Sequence, residues 1–240
     1  MGGKNLSKYK IIDQFPKNYE DYIYLEPFVG GGNIILSKNP SKEDIINDID
    51  KDLITVFKGF KKYDDEKISN AINGVYNKKD FLELKNNPDS KDKFENFIKK
   101  FLIFRLSFYG KGKIYSSHRG DSETVNYRGK NHEKLKNVKI YNTDYENLLK
   151  KYNRSNVFVY LDPPYEGSSS EHYKYHDFDY DKLKKNIDSF KGKFLLSVND
   201  SPNIRNLFKD YNIIQMDTKY AKGQQGGQHN IKKELLIKNY

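Results

Sequence analysis

The stretch NVFVYLDPPYEG, residues 156–167, sets an unbroken apolar run directly against an acid, two prolines and an aromatic. Val157 to Leu161 read as a short buried strand. Asp162 is then delivered at the carboxyl end of that strand, where open α/β sheets bind their ligands. The two prolines stop the strand, fix φ near −65° twice in succession and remove two backbone donors, which leaves a stiff loop whose carbonyls are expected to point outward unpaired. Such a loop can aim a carboxylate, a carbonyl and the Tyr165 ring at one small flat target. The plainer alternative is that Pro163 and Pro164 only end a strand and Tyr165 packs on the surface.

Outward from this stretch, strand and helix patterns alternate. DYIYLEPF (residues 21–28) reads as a strand, NIILSK (33–38) as the start of a helix and EDIINDI (43–49) as a second strand. Leu53, Val56, Phe57 and Phe60 follow at helical spacing. Phe94, Phe97, Ile98, Phe101 and Leu102 mark another helix. Beyond residue 136 come strand VKIYNTD, the strand already described, a helix through Leu183, Ile187 and Phe190, strand KFLLSVN, a helix around Ile204 to Phe208, and strands NIIQMDT and ELLIKNY. The pattern predicts an α/β fold, a doubly wound sheet built from residues 1–66 and 137–240 that carries a small, helical, basic insertion at residues 67–136.

Composition restricts the chemistry. At 240 residues the chain can bury a real core. The lack of cysteine removes disulfides and thiolate catalysis, and the five scattered histidines are not spaced as metal ligands, so no metal is expected. No apolar run reaches the roughly 18 residues of a membrane span, and MGGKNLSKYK lacks the apolar centre of a signal peptide. A soluble, intracellular protein is the expectation. The abundance of Lys, Asn, Tyr and Ile fits an AT-rich genome, so the net charge of +10 says little by itself.

The placement of the charge is more informative. Residues 97–139 hold eleven Lys or Arg against three acids, a surplus of eight, interleaved with Phe108, Tyr109, Tyr115, Tyr127, Gly and Ser. That mixture suits phosphate contacts together with groups reaching base edges. Tyr109, Lys111, Lys113, Arg119, Arg128 and Lys130 are the candidate nucleic-acid contacts. The alternative is a solvated charged loop.

The first strand ends in EPFVGGGN, residues 26–33, where three consecutive glycines between a strand and a helix are expected to allow a ligand close to the backbone, with the helix N-terminus facing it. Eighteen residues beyond Gly30, the second strand closes with NDID and places Asp48 where an acid would accept from ribose hydroxyls. Asp48 could instead cap the following helix, with Asp50 as the rival acceptor. Together the two signals suggest a nucleoside-containing cofactor.

The ordered set GGKNLSKYKIIDQFP, YLEPFVGGGNIIL, NDIDKDLITVF, the variable basic region, DYENLL, LDPPY, LLSVND and GGQHNIKKELLI resembles the Dam-like, alpha-group DNA adenine-N6 methyltransferases over nearly the whole chain. The resemblance implies a Rossmann-like methyltransferase sheet, S-adenosylmethionine as methyl donor and double-stranded DNA as substrate. It implies that Lys4, Asp48 and Asp162 contact the cofactor and that Phe28, Gly30 and Gly32 shape its pocket, with Glu26, Gly31 and Asp144 completing the candidate set. A companion restriction endonuclease is a partner the resemblance allows.

That activity accounts for the first stretch. The adenine N6 lone pair is delocalised into the ring. Asp162 and the Pro163 carbonyl can both accept from the amino group and favour a more tetrahedral nitrogen for in-line methyl transfer, with Pro164 and Tyr165 completing the catalytic loop. Within a duplex this geometry is unreachable, so the base must be flipped out, and Tyr165 can stack on it. The chain departs from the resemblance twice. Relatives usually carry an aromatic residue before the first Gly-Gly-Lys, where Met1 stands here, and lower cofactor affinity is expected. Relatives that read GATC carry Asn-Gly-Leu-x-Arg where this chain has YGKGK, so GATC is a first candidate only: Lys113 cannot make the planar two-point contact of an arginine with guanine. Two other readings stay open: the same fold acting on RNA or single-stranded nucleic acid, and a non-catalytic DNA-binding subunit.

Overall fold

The computed structural model describes residues 7–116, 122–166, 178–219 and 231–240. Their helices are α1 (Lys8–Ile12), α2 (Lys51–Lys62), α3 (Asp65–Ile72), α4 (Lys78–Asn86), α5 (Lys93–Leu106), α6 (Asn131–Leu135), α7 (Tyr145–Lys151), α8 (Tyr180–Asp188) and α9 (Pro202–Leu207). The strands are β1 (Ile23–Glu26), β2 (Glu43–Asn47), β3 (Gly74–Asn77), β4 (Ser122–Val125), β5 (Lys139–Tyr141), β6 (Val157–Leu161), β7 (Lys193–Asn199), β8 (Asn212–Lys219) and β9 (Ile231–Lys238). The chain divides into two compact units, residues 50–140 and the described parts of 4–49 with 141–240. The expected insertion, 67–136, lies within the first.

Seven strands form one sheet in the order β5-β2-β1-β6-β7-β9-β8. β1 pairs in parallel with β2 and β6, and β6 with β7, while β9 is antiparallel to both β7 and β8. The chain leaves β1 in one direction, through β2 to β5, and returns on its other side to build β6 and β7. The switch point therefore lies between β1 and β6, and the crevice beyond their carboxyl ends is the place where such sheets bind ligands.

All five residues of β6 are buried, as strands covered on both faces must be. Alternation sends them to two layers. Val157, Val159 and Leu161 join Leu25, Leu183, Ile187, Phe194, Leu196 and Ile237 in one apolar cluster. On the other face, Phe158 packs edge-on to Phe15 with ring centroids 4.7 Å apart, and Tyr24 lies 5.9 Å from Phe158. The same alternation puts Tyr24 and Glu26 side by side on one face of β1.

The segment NIILSK is a run of turns and not the expected helix. Only Leu36 N–H to the Gly32 carbonyl and Lys38 N–H to the Ile34 carbonyl follow the α pattern. The segment is caught between Gly30 and Gly32, both at positive φ, and Pro40, which biases Asn39 away from helical angles. Ile34 and Ile35 are buried all the same.

In the other unit, α2 meets α5 at Gly59, where a Cβ would stand 2.1 Å from the Phe97 ring. Phe60, Phe97, Phe101 and Tyr127 form its aromatic centre, with Phe60 and Tyr127 stacked at 5.7 Å. β3 and β4 make a separate antiparallel pair that the sequence pattern did not announce. Among the described residues no helix is long and apolar enough to cross a membrane.

Candidate active site

β1 and β6 are neighbours, so the residues at their carboxyl ends share the crevice. Glu26 closes β1 at 2 % exposure, and Asp162 follows β6. Burial pushes the Glu26 carboxyl up to about 8. Tyr24 works against this by donating its hydroxyl to Glu26 Oε2 at 2.9 Å, while the charge of Asp162 adds to the rise. Lys38 lowers it in turn. The Lys38 ammonium is fully buried, 2.6 Å from Asp44 Oδ1 and 4.4 Å from the Tyr24 ring centroid. No sequence signal marked Lys38, which sits in a segment read as the start of a helix.

The glycine turn begins where β1 ends. Gly30 has φ 47° and Gly32 φ 72°. Gly30 donates its N–H to Asp48 Oδ2 at 3.0 Å, so the acid closing the second strand holds the turn. The helix-capping role falls to Asp50, whose carboxylate accepts from Asp52 N and Leu53 N. Beside Asp48, the buried Asn47 ties the strand ends together: its amide donates to the Pro27 carbonyl at 2.9 Å and the Thr143 carbonyl at 3.0 Å, and accepts from Thr143 N at 2.9 Å. Asn47 was missed in the sequence, although its place just before the acid in NDID was the available signal. Asp144 caps α7 by accepting from Glu146 N. Next to it, the Phe28 ring packs against Tyr145 at 5.1 Å and Phe178 at 5.6 Å, an aromatic wall of which only Phe28 was foreseen.

Nothing lies within 4 Å of the position a Cβ would take at Gly30. A side chain there would fill space open to a ligand and leave the protein's own packing alone. Gly30→Val is therefore expected to fold with about 1–2 kcal/mol less stability, the cost of a left-handed φ to a residue with a Cβ, and, if the expected cofactor occupies this space, to bind it about tenfold or more weaker because the side chain fills it. Isothermal titration with S-adenosylmethionine checks this; unchanged affinity would place the cofactor elsewhere.

The loop after β6 is anchored residue by residue. The Pro164 carbonyl accepts from Tyr180 Oη at 2.8 Å, so it does not point outward as the two prolines suggested. Tyr165 Oη donates to Glu234 Oε1 at 2.9 Å, and Glu166 N–H to Asn199 Oδ1 at 3.0 Å. The Glu166 carboxylate accepts from Ser201 Oγ and from Asn203 Nδ2. Asp162 and Pro163 thus enter a loop fixed from its far side, while Pro163 is itself buried.

In the basic segment, charge is partly neutralised within the unit. Lys99 and Lys100 both reach Asp89, Lys100 also reaches Asp52, Arg105 pairs with Glu123, and Lys136 with Glu133. The loop from Ser107 to Ser116 is closed by Phe108 N–H to the Ile114 carbonyl and by Gly112 N–H to Ser107 Oγ, and Gly110 and Gly112 take positive φ. Lys111 and Lys113 are half-buried on this loop, whereas Arg128 and Lys130 are exposed. Lys4, Arg119 and the side chain of Tyr109 lie outside the described residues.

Comparison with known proteins supplies the family. The chain is 26% identical over 268 residues to a Type II methyltransferase of Lactococcus lactis subsp. cremoris, covering 100% of this chain and 93% of that protein. It is 29% identical to a Type II methyltransferase of Methanocaldococcus jannaschii, covering 100% and 96%, and 25% identical to one of Paramecium bursaria Chlorella virus NC1A, covering 93% and 94%. The family model for D12 class N6 adenine-specific DNA methyltransferases matches residues 1–222. With the Asp-Pro-Pro-Tyr loop at the switch point of a largely parallel sheet, the chain belongs to the D12 class of N6 adenine-specific DNA methyltransferases.

Proposed function

We propose that the crevice between β1 and β6 takes S-adenosylmethionine and a flipped-out adenine from double-stranded DNA. The observation that carries this reading is that Glu26 and Asp162, two acids on neighbouring strands, are close enough for one to raise the other's proton affinity. Acids so crowded suit a site that receives cationic and amino groups. The open space at Gly30 and the Asp48 carboxylate fit a nucleoside ligand. In this reading Glu26, Phe28, Gly30, Gly31, Gly32, Asp48, Asp144 and Asp162 hold the cofactor, with Lys4 in the same set. When bound, S-adenosylmethionine supplies a methyl group on a sulfonium leaving group.

The chain's own residues do the rest. Asp162 and the Pro163 carbonyl accept hydrogen bonds from N6, which concentrates the nitrogen lone pair and receives the positive charge that develops as the amine is alkylated. Tyr165 offers a ring to the extruded base, and its anchored loop holds the acceptors at fixed positions, so that little reorganisation is needed in the transition state.

Target choice is assigned to Tyr109, Lys111, Lys113, Arg119, Arg128 and Lys130, with an adenine-containing palindrome such as GATC as the first candidate sequence. Lys113, on the closed loop, is the base reader, and the exposed Lys130 a phosphate contact. Lys113→Ala is expected to relax discrimination at one base pair, and Lys130→Ala to weaken methylation of all sequences with a salt dependence flatter by about one ion. Sequencing of methylated plasmid at several salt concentrations separates the two. An unchanged motif and stringency in Lys113→Ala would move the reading head to another part of the unit. A companion restriction endonuclease of matching specificity is the partner this reading implies.

A further inference from the structure

Two motifs singled out in the sequence, LLSVND and KKELLI, have no part in the chemistry so far. The sheet brings them together. β7 and β9 pair so that Asn199, at the end of LLSVN, stands opposite Glu234. Neither residue serves the apolar core, and Glu234 is only 1 % exposed on a strand whose next three residues are all buried and apolar. Burying a carboxyl group there is costly unless it is hydrogen-bonded.

Both members of this cross-strand pair bind the Asp-Pro-Pro-Tyr loop, and they bind consecutive residues of it. Glu234 Oε1 accepts from Tyr165 Oη at 2.9 Å, and Asn199 Oδ1 accepts from Glu166 N–H at 3.0 Å. Ser201 and Asn203, just beyond β7, then take the Glu166 carboxylate. A tyrosine hydroxyl lies on the long axis of its ring, so fixing the hydroxyl fixes the direction in which the ring projects from the loop. We infer that Asn199 and Glu234 form a cross-strand positioning pair whose task is to set where the Tyr165 ring projects and the pitch of the loop that presents Asp162 to the substrate base. This rests on the proposed stacking of adenine on Tyr165. Asn199 and Glu234 are positioning residues: they touch the loop and not the substrate.

The test is steady-state transfer of labelled methyl from S-adenosylmethionine to plasmid DNA, with cofactor affinity measured by calorimetry on the same preparations. Tyr165→Phe keeps the ring and loses the anchor, while Glu234→Ala loses the anchor from the other side. Each is expected to lower kcat about tenfold or more with cofactor affinity within about twofold of wild type, the size expected for one hydrogen bond to a buried carboxyl group. Glu234→Gln keeps an acceptor oxygen and is expected to recover most of the rate. The double variant Tyr165→Phe with Glu234→Ala should be no slower than the slower single one, because both remove the same bond. If Glu234→Ala does not fold, Tyr165→Phe and Glu234→Gln decide the matter alone. Wild-type kcat in Tyr165→Phe beside a slow Tyr165→Ala would overturn the anchoring and leave the stacking intact. Wild-type kcat in Tyr165→Ala would overturn the stacking and the inference built on it.

Discussion

Asp162→Asn and Asp162→Ala are each expected to lose on the order of 10²–10³ in kcat while remaining folded, as enzymes do when one charge-stabilising group at the reacting atoms is removed. The amide introduced by Asp162→Asn is nearly isosteric, but half of it is a donor and it carries no charge to meet the developing cation. A second consequence separates this loss from general damage. The Asp162 charge helps hold the Glu26 carboxyl high, so its removal should let Glu26 ionise at lower pH. Cofactor affinity in Asp162→Asn is therefore expected to fall by less than kcat does, with its pH dependence shifted toward acid. Single-turnover rates and calorimetry across pH 6 to 9, on the order of the window set by ordinary and raised carboxyl values, check both parts.

Glu26→Gln is expected to trade binding for stability. In the folded, ligand-free protein Glu26 keeps its proton up to about pH 8, against 4.5 for the unperturbed group. Between those values the folded state binds more protons than the unfolded one, so stability falls as pH rises through this window and the contribution is fully lost above the folded value. The loss is on the order of 5 kcal/mol. Glu26→Gln has no proton to lose, and its Tm is expected to exceed that of wild type by about 10–20 °C at pH 9 and to match it near pH 5, given the 2–4 °C per kcal/mol typical of this size. Conversely, a cationic cofactor should bind wild type with release of a proton below pH 8, and bind Glu26→Gln more weakly and without that release. Titrations in buffers of different ionisation enthalpy measure it. Equal Tm values at pH 9 would mean that folding does not raise the proton affinity of Glu26.

The parts of this account legible in the sequence were those where one pattern had one physical solution. The strand at β7 was read to the residue, because KFLLSVN has room for no other structure between a helix and an Asp-Ser-Pro turn. The acid before the two prolines marked the site because nothing else in the chain stops an apolar strand so abruptly. NIILSK misled, since its apolar spacing suits a helix while its length between left-handed glycines and Pro40 does not. The β3–β4 pair was invisible: two four-residue strands about 45 positions apart carry no local signal of each other. The polar residues that join the site together, Asn47, Lys38, Asn199 and Glu234, were also missed as functional groups. Asn47, Asn199 and Glu234 each adjoin an apolar strand residue, and only the strand register reveals what they face, while Lys38 stands in the run of turns that reads as a helix.

The alternatives of RNA modification and of a non-catalytic subunit gave way to membership of a DNA-modifying enzyme family. The claim at the centre of the account is narrower: that Asp162 and its loop direct a methyl group onto the exocyclic nitrogen of adenine. The most direct measurement is transfer of labelled methyl from S-adenosylmethionine to double-stranded plasmid DNA, followed by complete digestion and separation of the nucleosides. The account predicts that the label appears as N6-methyldeoxyadenosine with wild-type protein and is absent at equal protein concentration with Asp162→Ala. Label in a cytosine nucleoside, or undiminished label in deoxyadenosine with Asp162→Ala, would contradict it.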